Sequence, residues 1–80
     1  MSISEFVVKR IYEICDTRRL SPTRLARLAT LPPSTIKNIV NGASRNPSIV
    51  TIKKICDGVD ISIIDFFDTD DYKAVEQEIN

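Results

Sequence analysis

The chain has 80 residues, enough for one small domain, and 42% hydrophobic with 28% charged residues is the make-up of a globular chain rather than a disordered or fibrous one. Eleven Lys and Arg balance eleven Asp and Glu, which taken alone argues against a nucleic-acid partner. There is no histidine, so the commonest general base, nucleophile activator and metal ligand is missing and an enzyme is a poor expectation.

Ile3, Val7, Ile11 and Ile14, with Phe6 and Cys15 beside them, recur at steps of three and four and predict a helix from about Ser2 to Thr17. Ser2 and Glu5 have the spacing of a capping box. Ser21-Pro22 is a strong second start, because serine caps free amides and proline at the first helical position gives up an N–H that would have no partner. Leu25, Ala26 and Leu28 are the apolar residues of that short helix. Leu31-Pro32-Pro33 ends it, since a residue before proline is pushed out of the α region.

A third helix follows from Ser34 to Asn41, with Ile36, Ile39 and Val40 inward and Ser34, Thr35, Lys37, Asn38 and Asn41 outward; Gly42 is a good stop. Ala43 to Pro47 reads as a basic loop. Ser48 caps a fourth helix through Ile49, Ile52, Ile55, Cys56 and Val59, which Asp60 ends in a left-handed conformation that glycine would adopt more readily. Ser62 caps a last short helix holding Ile63, Phe66 and Phe67. Val59 to Ile64 is β-branched, but it lies between a helix stop and a cap, so no strand is expected and the fold class is all-α. Residues 1–67 form the body and 68–80 an acidic tail, in which Tyr72, Val75 and Ile79 are spaced either for a sixth helix or for a frayed end.

Cys15 and Cys56 each sit in an apolar periodic run without CxxC spacing, so they read as buried, reduced thiols with no disulfide. Two cysteines without histidine make no structural zinc site, and no metal or other cofactor is implied. No run approaches the roughly 20 apolar residues of a membrane span and the N-terminus has no signal region, so no membrane partner is expected and the cytoplasm is the expected location.

The balanced charge is unevenly distributed. Residues 1–54 carry Lys9, Arg10, Arg18, Arg19, Arg24, Arg27, Lys37, Arg45, Lys53 and Lys54 against Glu5, Glu13 and Asp16, a net +7; residues 55–80 carry the compensating −7. No acid occurs from Arg18 to Lys54. Such asymmetry fits a nucleic-acid-binding body with an acidic tail.

Five short helices, the second and third joined by a turn of about four residues, resemble the helix-turn-helix domain of the phage repressor family, the lambda repressor and Cro or XRE type. The resemblance covers roughly residues 10 to 67. It rests on Leu20-Ser21, Leu25-Ala26, Leu31, Ile36, Ile39, Asn41-Gly42, the loop Arg45-Asn46-Pro47-Ser48, and Ser62 to Phe67. It implies that the third helix enters the major groove and the second lies across the backbone. Pro33, Ser34, Thr35, Lys37 and Asn38 would then meet base edges: Asn bonds adenine, Lys reaches guanine, and Pro33 or the Thr35 methyl touches a thymine methyl. Ser21, Thr23, Asn41, Ser44, Arg45 and Asn46 would meet phosphates. A solvated helix face is the bland alternative for Lys37 and Asn38, and N-capping alone accounts for Ser21.

The sequence departs from the family's pattern at several points. The glutamine that often opens the second helix is Pro22 and those that open the recognition helix are Pro33 and Ser34, so specificity is expected to be modest or to lean on DNA shape; the turn glycine is Thr30. A positive φ at Thr30 would store roughly 1 kcal/mol or more. A first-helix Arg and third-helix Glu common in the family are Cys15 and Val40, both apolar.

The resemblance implies a sequence-specific DNA-binding transcriptional regulator, a repressor acting on double-stranded DNA as a homodimer, with half-sites about 34 Å apart. Ile63, Ile64, Phe66 and Phe67, extended by Tyr72, Val75 and Ile79, offer more apolar surface than a small core needs and are the expected dimer contact. The chain stops soon after the domain, so regulation is expected to come from dimerisation, a protein partner or protein level, not a small-molecule substrate. The rival is a protein-interaction module, antitoxin-like or a regulator's partner, that keeps the fold with weak DNA readout.

Overall fold

Serine side chains set the starts of four helices. In the computed structural model, which describes residues 1–79, Ser2 caps α1 (Ile3–Arg18), Ser21 caps α2 (Pro22–Leu28), Ser48 caps α4 (Ile49–Gly58) and Ser62 caps α5 (Ile63–Phe67). Each serine Oγ accepts the amide three residues on at 2.9 to 3.1 Å, satisfying a donor that the helix itself leaves free. Ser2 and Ser62 complete capping boxes with Glu5 and Asp65. The exception is α3 (Pro33–Val40), whose N-cap is Pro32 and has no side-chain acceptor. Pro33 is thus the first residue of α3 rather than part of the break before it.

Three helices stop at a non-glycine residue in the left-handed region: Arg19 (φ 55°), Thr30 (φ 55°) and Asp60 (φ 60°). In each, the following amide bonds back to a carbonyl five residues earlier: Leu20 to Cys15 (2.8 Å), Leu31 to Ala26 (2.8 Å) and Ile61 to Cys56 (3.0 Å). These three Schellman closures satisfy carbonyls that would otherwise be orphaned. The left-handed turn at Arg19 was not legible beforehand, because arginine carries no bias toward it. Gly42 (φ 84°) ends α3.

The apolar faces meet in one core. Phe6 and Ile11 of α1, Leu25 and Ala26 of α2, Ile36 and Ile39 of α3, Ile55 and Cys56 of α4, and Phe66 of α5 are all at most 2% exposed. α2 packs on both α3 and α4. No strand occurs among the described residues, and no helix there is long and apolar enough to cross a membrane.

Two expectations for the C-terminal region need correction. Residues 70–74 form a 3-10 turn, after which Val75 is extended, so Tyr72, Val75 and Ile79 do not line a sixth α-helix. The tail instead folds back along α1: Lys9 pairs with Asp71 at 2.9 Å, the Met1 amino group donates to the Ala74 carbonyl at 2.9 Å, and the Glu76 amide donates to the Met1 carbonyl at 2.9 Å. The second correction is Phe66, which has no exposed surface left for a partner. The apolar excess of α5 is used internally: Phe67 packs on Phe66 (5.0 Å between centroids) and stacks on Phe6 (5.7 Å), and Tyr72 stands edge-on to Phe6 (5.6 Å). Ile63, Phe67 and Val75 are half-buried against the core, whereas Ile64 and Ile79 are 76% and 80% exposed and Tyr72 about half.

Candidate nucleic-acid interface

α3 exists as an amphipathic helix because Ile36 and Ile39 are buried at a step of three, which turns Pro33, Ser34, Lys37, Asn38 and Asn41 together toward solvent. These five are spaced by one, three or four residues and make a continuous outer stripe. Thr35 lies at its edge and is half-buried. Lys37 and Asn38 are about 100° apart around the axis, so one helix offers a cationic and an amide group side by side. Pro32 gives the start of α3 no side-chain acceptor and Pro33 has no N–H, which leaves the Ser34 amide open at the positive end of the helix dipole.

The loop from Asn41 to Ser48 is held at three points. Asn41 Oδ1 accepts the Ala43 amide (2.9 Å), the Ser44 amide donates to the Asn38 carbonyl (2.8 Å), and Ser4 Oγ of α1 donates to the Arg45 carbonyl (2.6 Å). The loop backbone is therefore fixed while the Arg45 guanidinium makes no ion pair among the described residues. The Arg45 and Asn46 amides likewise have no acceptor there. An exposed cation beside free backbone N–H groups suits an anionic oxygen such as a phosphate.

Ser21 is exposed at the start of α2, but its Oγ is engaged with the Arg24 amide, and Thr23 is half-buried. The α2–α3 turn, Ala29 to Pro32, is positioned by the left-handed Thr30, whose Oγ1 donates to the Ala29 carbonyl (2.7 Å). The structure thus brings the α3 stripe and the basic loop onto adjoining elements.

Counting basic residues overstated the charge available to a partner. Lys9 pairs with Asp71 and Lys53 with Asp57, and both pairings raise the lysine pKa above its usual value through the bond to the carboxylate. Arg10 serves the fold: Nε donates to the Phe66 carbonyl (2.8 Å), a terminal nitrogen donates to the Asp65 carbonyl (3.2 Å), and the guanidinium lies 5.7 Å from the Phe66 ring centre. Arg18, Arg19, Arg24, Arg27, Lys37, Arg45 and Lys54 make no ion pair among the described residues, and all fall in the acid-free stretch.

Ser4 and Arg10 were not singled out by sequence reasoning. Nothing local marks a serine inside α1 as a loop anchor 41 positions away, and an arginine among apolar residues reads simply as exposed charge. Gly58 is a third case that a lone glycine in a helical pattern could have flagged.

A family model for the Cro/C1-type HTH DNA-binding domain matches residues 10–71. No curated protein and no solved structure matches the chain significantly.

Proposed function

Because the chain belongs to the Cro/C1-type helix-turn-helix DNA-binding family, we propose that it is a sequence-specific transcriptional regulator that represses by occupying its operator, with α3 in the major groove. The observation that carries this is the acid-free outer stripe of α3, Pro33, Ser34, Lys37, Asn38 and Asn41, beside a pinned loop carrying an unpaired Arg45. An α-helix about 10 to 12 Å across with its side chains fits a major groove about 12 Å wide. In this reading Asn38 and Lys37 read base edges, Pro33 and Thr35 offer apolar contact to a thymine methyl, and Ser34 contributes its hydroxyl and amide. Ser21, Thr23, Asn41, Ser44, Arg45 and Asn46 set the register on phosphates.

One α3 touches only a few base pairs, and two-fold pairing of half-sites about 34 Å apart supplies the rest. Ile64, exposed on α5, is the natural anchor of such a dimer, with Ile63 at its edge; Ile79 and Tyr72 extend the apolar surface. The body, residues 1–67, carries the DNA contacts in this reading, and residues 68–80 are the tail, whose described part, to residue 79, docks on α1.

The test is selection of bound sequences from random duplexes at physiological salt. Recovery of an inverted repeat with centres one helical turn apart supports a dimeric reader. Equal retention of all sequences removes the specific readout and favours a protein partner for this surface.

A further inference from the structure

The tail that folds back along α1 ends at the surface just assigned to DNA. Between the first turn of α1 and the α3–α4 loop lies a groove of about 560 Å³, lined by Ser4, Glu5, Ser44, Arg45, Asn46 and Glu78 among others. The tail is held there by contacts that do not involve Arg45: Tyr72 against Phe6, Asp71 on Lys9, Val75 against the core and the Glu76 amide on the Met1 carbonyl. Glu78 itself makes no hydrogen bond and no ion pair among the described residues. Its position is set by the docked backbone, and its carboxylate remains uncommitted.

Arg45 is equally uncommitted on the other side of the groove. Glu5 adds a second negative charge, and the hydrogen bond from the Ser2 amide in the capping box holds its pKa below the usual carboxylate value. A phosphate approaching Arg45 and the free loop amides must therefore enter a groove that already contains carboxylates.

We propose that the docked acidic tail is an intramolecular competitor for DNA, with Glu78 placed beside Arg45 and Asn46 as a mimic of the phosphate. This inference rests on the reading that the α3–α4 loop contacts the DNA backbone. It makes the tail a built-in brake that lowers affinity for every duplex, because phosphate contacts carry no sequence information. Anything that draws the tail away from α1 would release the brake.

The test is equilibrium binding of the full chain to its selected duplex and to a random one. Glu78→Gln tightens both by roughly two- to fivefold, the scale of one exposed charge interaction, and Glu78→Lys tightens them further. Asp60→Asn makes the same charge change beyond the far end of α4, about 15 Å of helix from the loop and outside a Debye length of about 8 Å, and leaves affinity unchanged. In an Arg45→Ala background the gain from Glu78→Gln disappears, because the phosphate contact that Glu78 obstructs is gone. A Glu78→Gln affinity no better than that of Asp60→Asn, or a gain that persists in full without Arg45, overturns the brake and leaves DNA binding standing. Failure of both the wild type and Glu78→Lys to bind any duplex overturns the DNA reading and this inference with it.

Discussion

Gly58 of α4 lies so close to the end of α2 that a Cβ on it would stand 2.9 Å from the Ala29 amide nitrogen, and equally near the Leu28 carbonyl. The neighbouring atoms are backbone, so relief would require shifting α2, which also packs on α3. Glycine inside a helix normally costs about 1 kcal/mol relative to alanine, and here that cost is outweighed by the close approach it permits. Gly58→Ala is therefore expected to destabilise by roughly 1 to 3 kcal/mol, about 4 to 8 °C of melting temperature per kcal/mol. Thermal denaturation checks this; a variant as stable as the parent would show that the two helices can separate freely.

Thr30 is a β-branched residue at φ 55° and pays a left-handed penalty that glycine avoids. Its one side-chain bond, to the Ala29 carbonyl, returns part of that penalty. Thr30→Gly should raise stability by about 0.5 to 1 kcal/mol while leaving α3 in place. Denaturant titration measures the gain, and a loss would mean that the threonine bond outweighs the strain.

Cys15 and Cys56 are both buried, and desolvation pushes their thiols above the usual value of 9.0. The native state therefore holds protons that the unfolded chain releases first as the solution becomes alkaline. The thiols' contribution to stability is fully present below about pH 9 and falls as pH rises through their folded pKa. Comparing the parent with the Cys15→Ala, Cys56→Ala double variant between pH 8 and pH 10 isolates this slope from that of the lysines. The parent should lose stability more steeply, and native thiols should react with a disulfide reagent only on unfolding.

Asn38 and Arg45 should fail differently when truncated. Asn38→Ala is expected to lose about 1 to 3 kcal/mol on the preferred sequence and to relax choice at one position, with the fold intact because the side chain is exposed and only its carbonyl serves the Ser44 amide. Arg45→Ala should weaken all duplexes alike and reduce the salt slope by about 1. Affinities on matched and mismatched duplexes across salt concentrations separate the two, and identical patterns would contradict the division of roles.

Ile64 and Phe66 lie two positions apart on α5 and should respond in opposite ways. Ile64→Asp places an acid in the first turn of α5, where the helix dipole favours it, and should change stability by no more than about 0.5 kcal/mol while weakening self-association. Phe66→Ala empties a fully buried site under the Arg10 guanidinium and should cost about 3 to 5 kcal/mol. Sedimentation equilibrium and denaturation read the two effects; unchanged association in Ile64→Asp would move the dimer contact elsewhere.

The helices and their order were legible in the sequence because their causes are short-range. A serine three residues before a free amide, a proline at a first turn, and isoleucines at steps of three and four act within one or two turns, so Ser2, Ser21, Ser48 and Ser62 mark their helices without any knowledge of the fold. The outer stripe of α3 was legible for the same reason: burial of Ile36 and Ile39 leaves Lys37 and Asn38 outside. The tertiary structure alone decided what happened to groups whose partners are distant in the chain. Phe66 and Phe67 look available for a dimer until Phe6, some 60 residues earlier, is seen to join their cluster. Arg10 looks like free charge until the α5 carbonyls it serves are in place. The return of the tail toward Arg45 depends on several weak contacts with α1 that hold only when the folded body has already brought both ends together, which local periodicity does not encode.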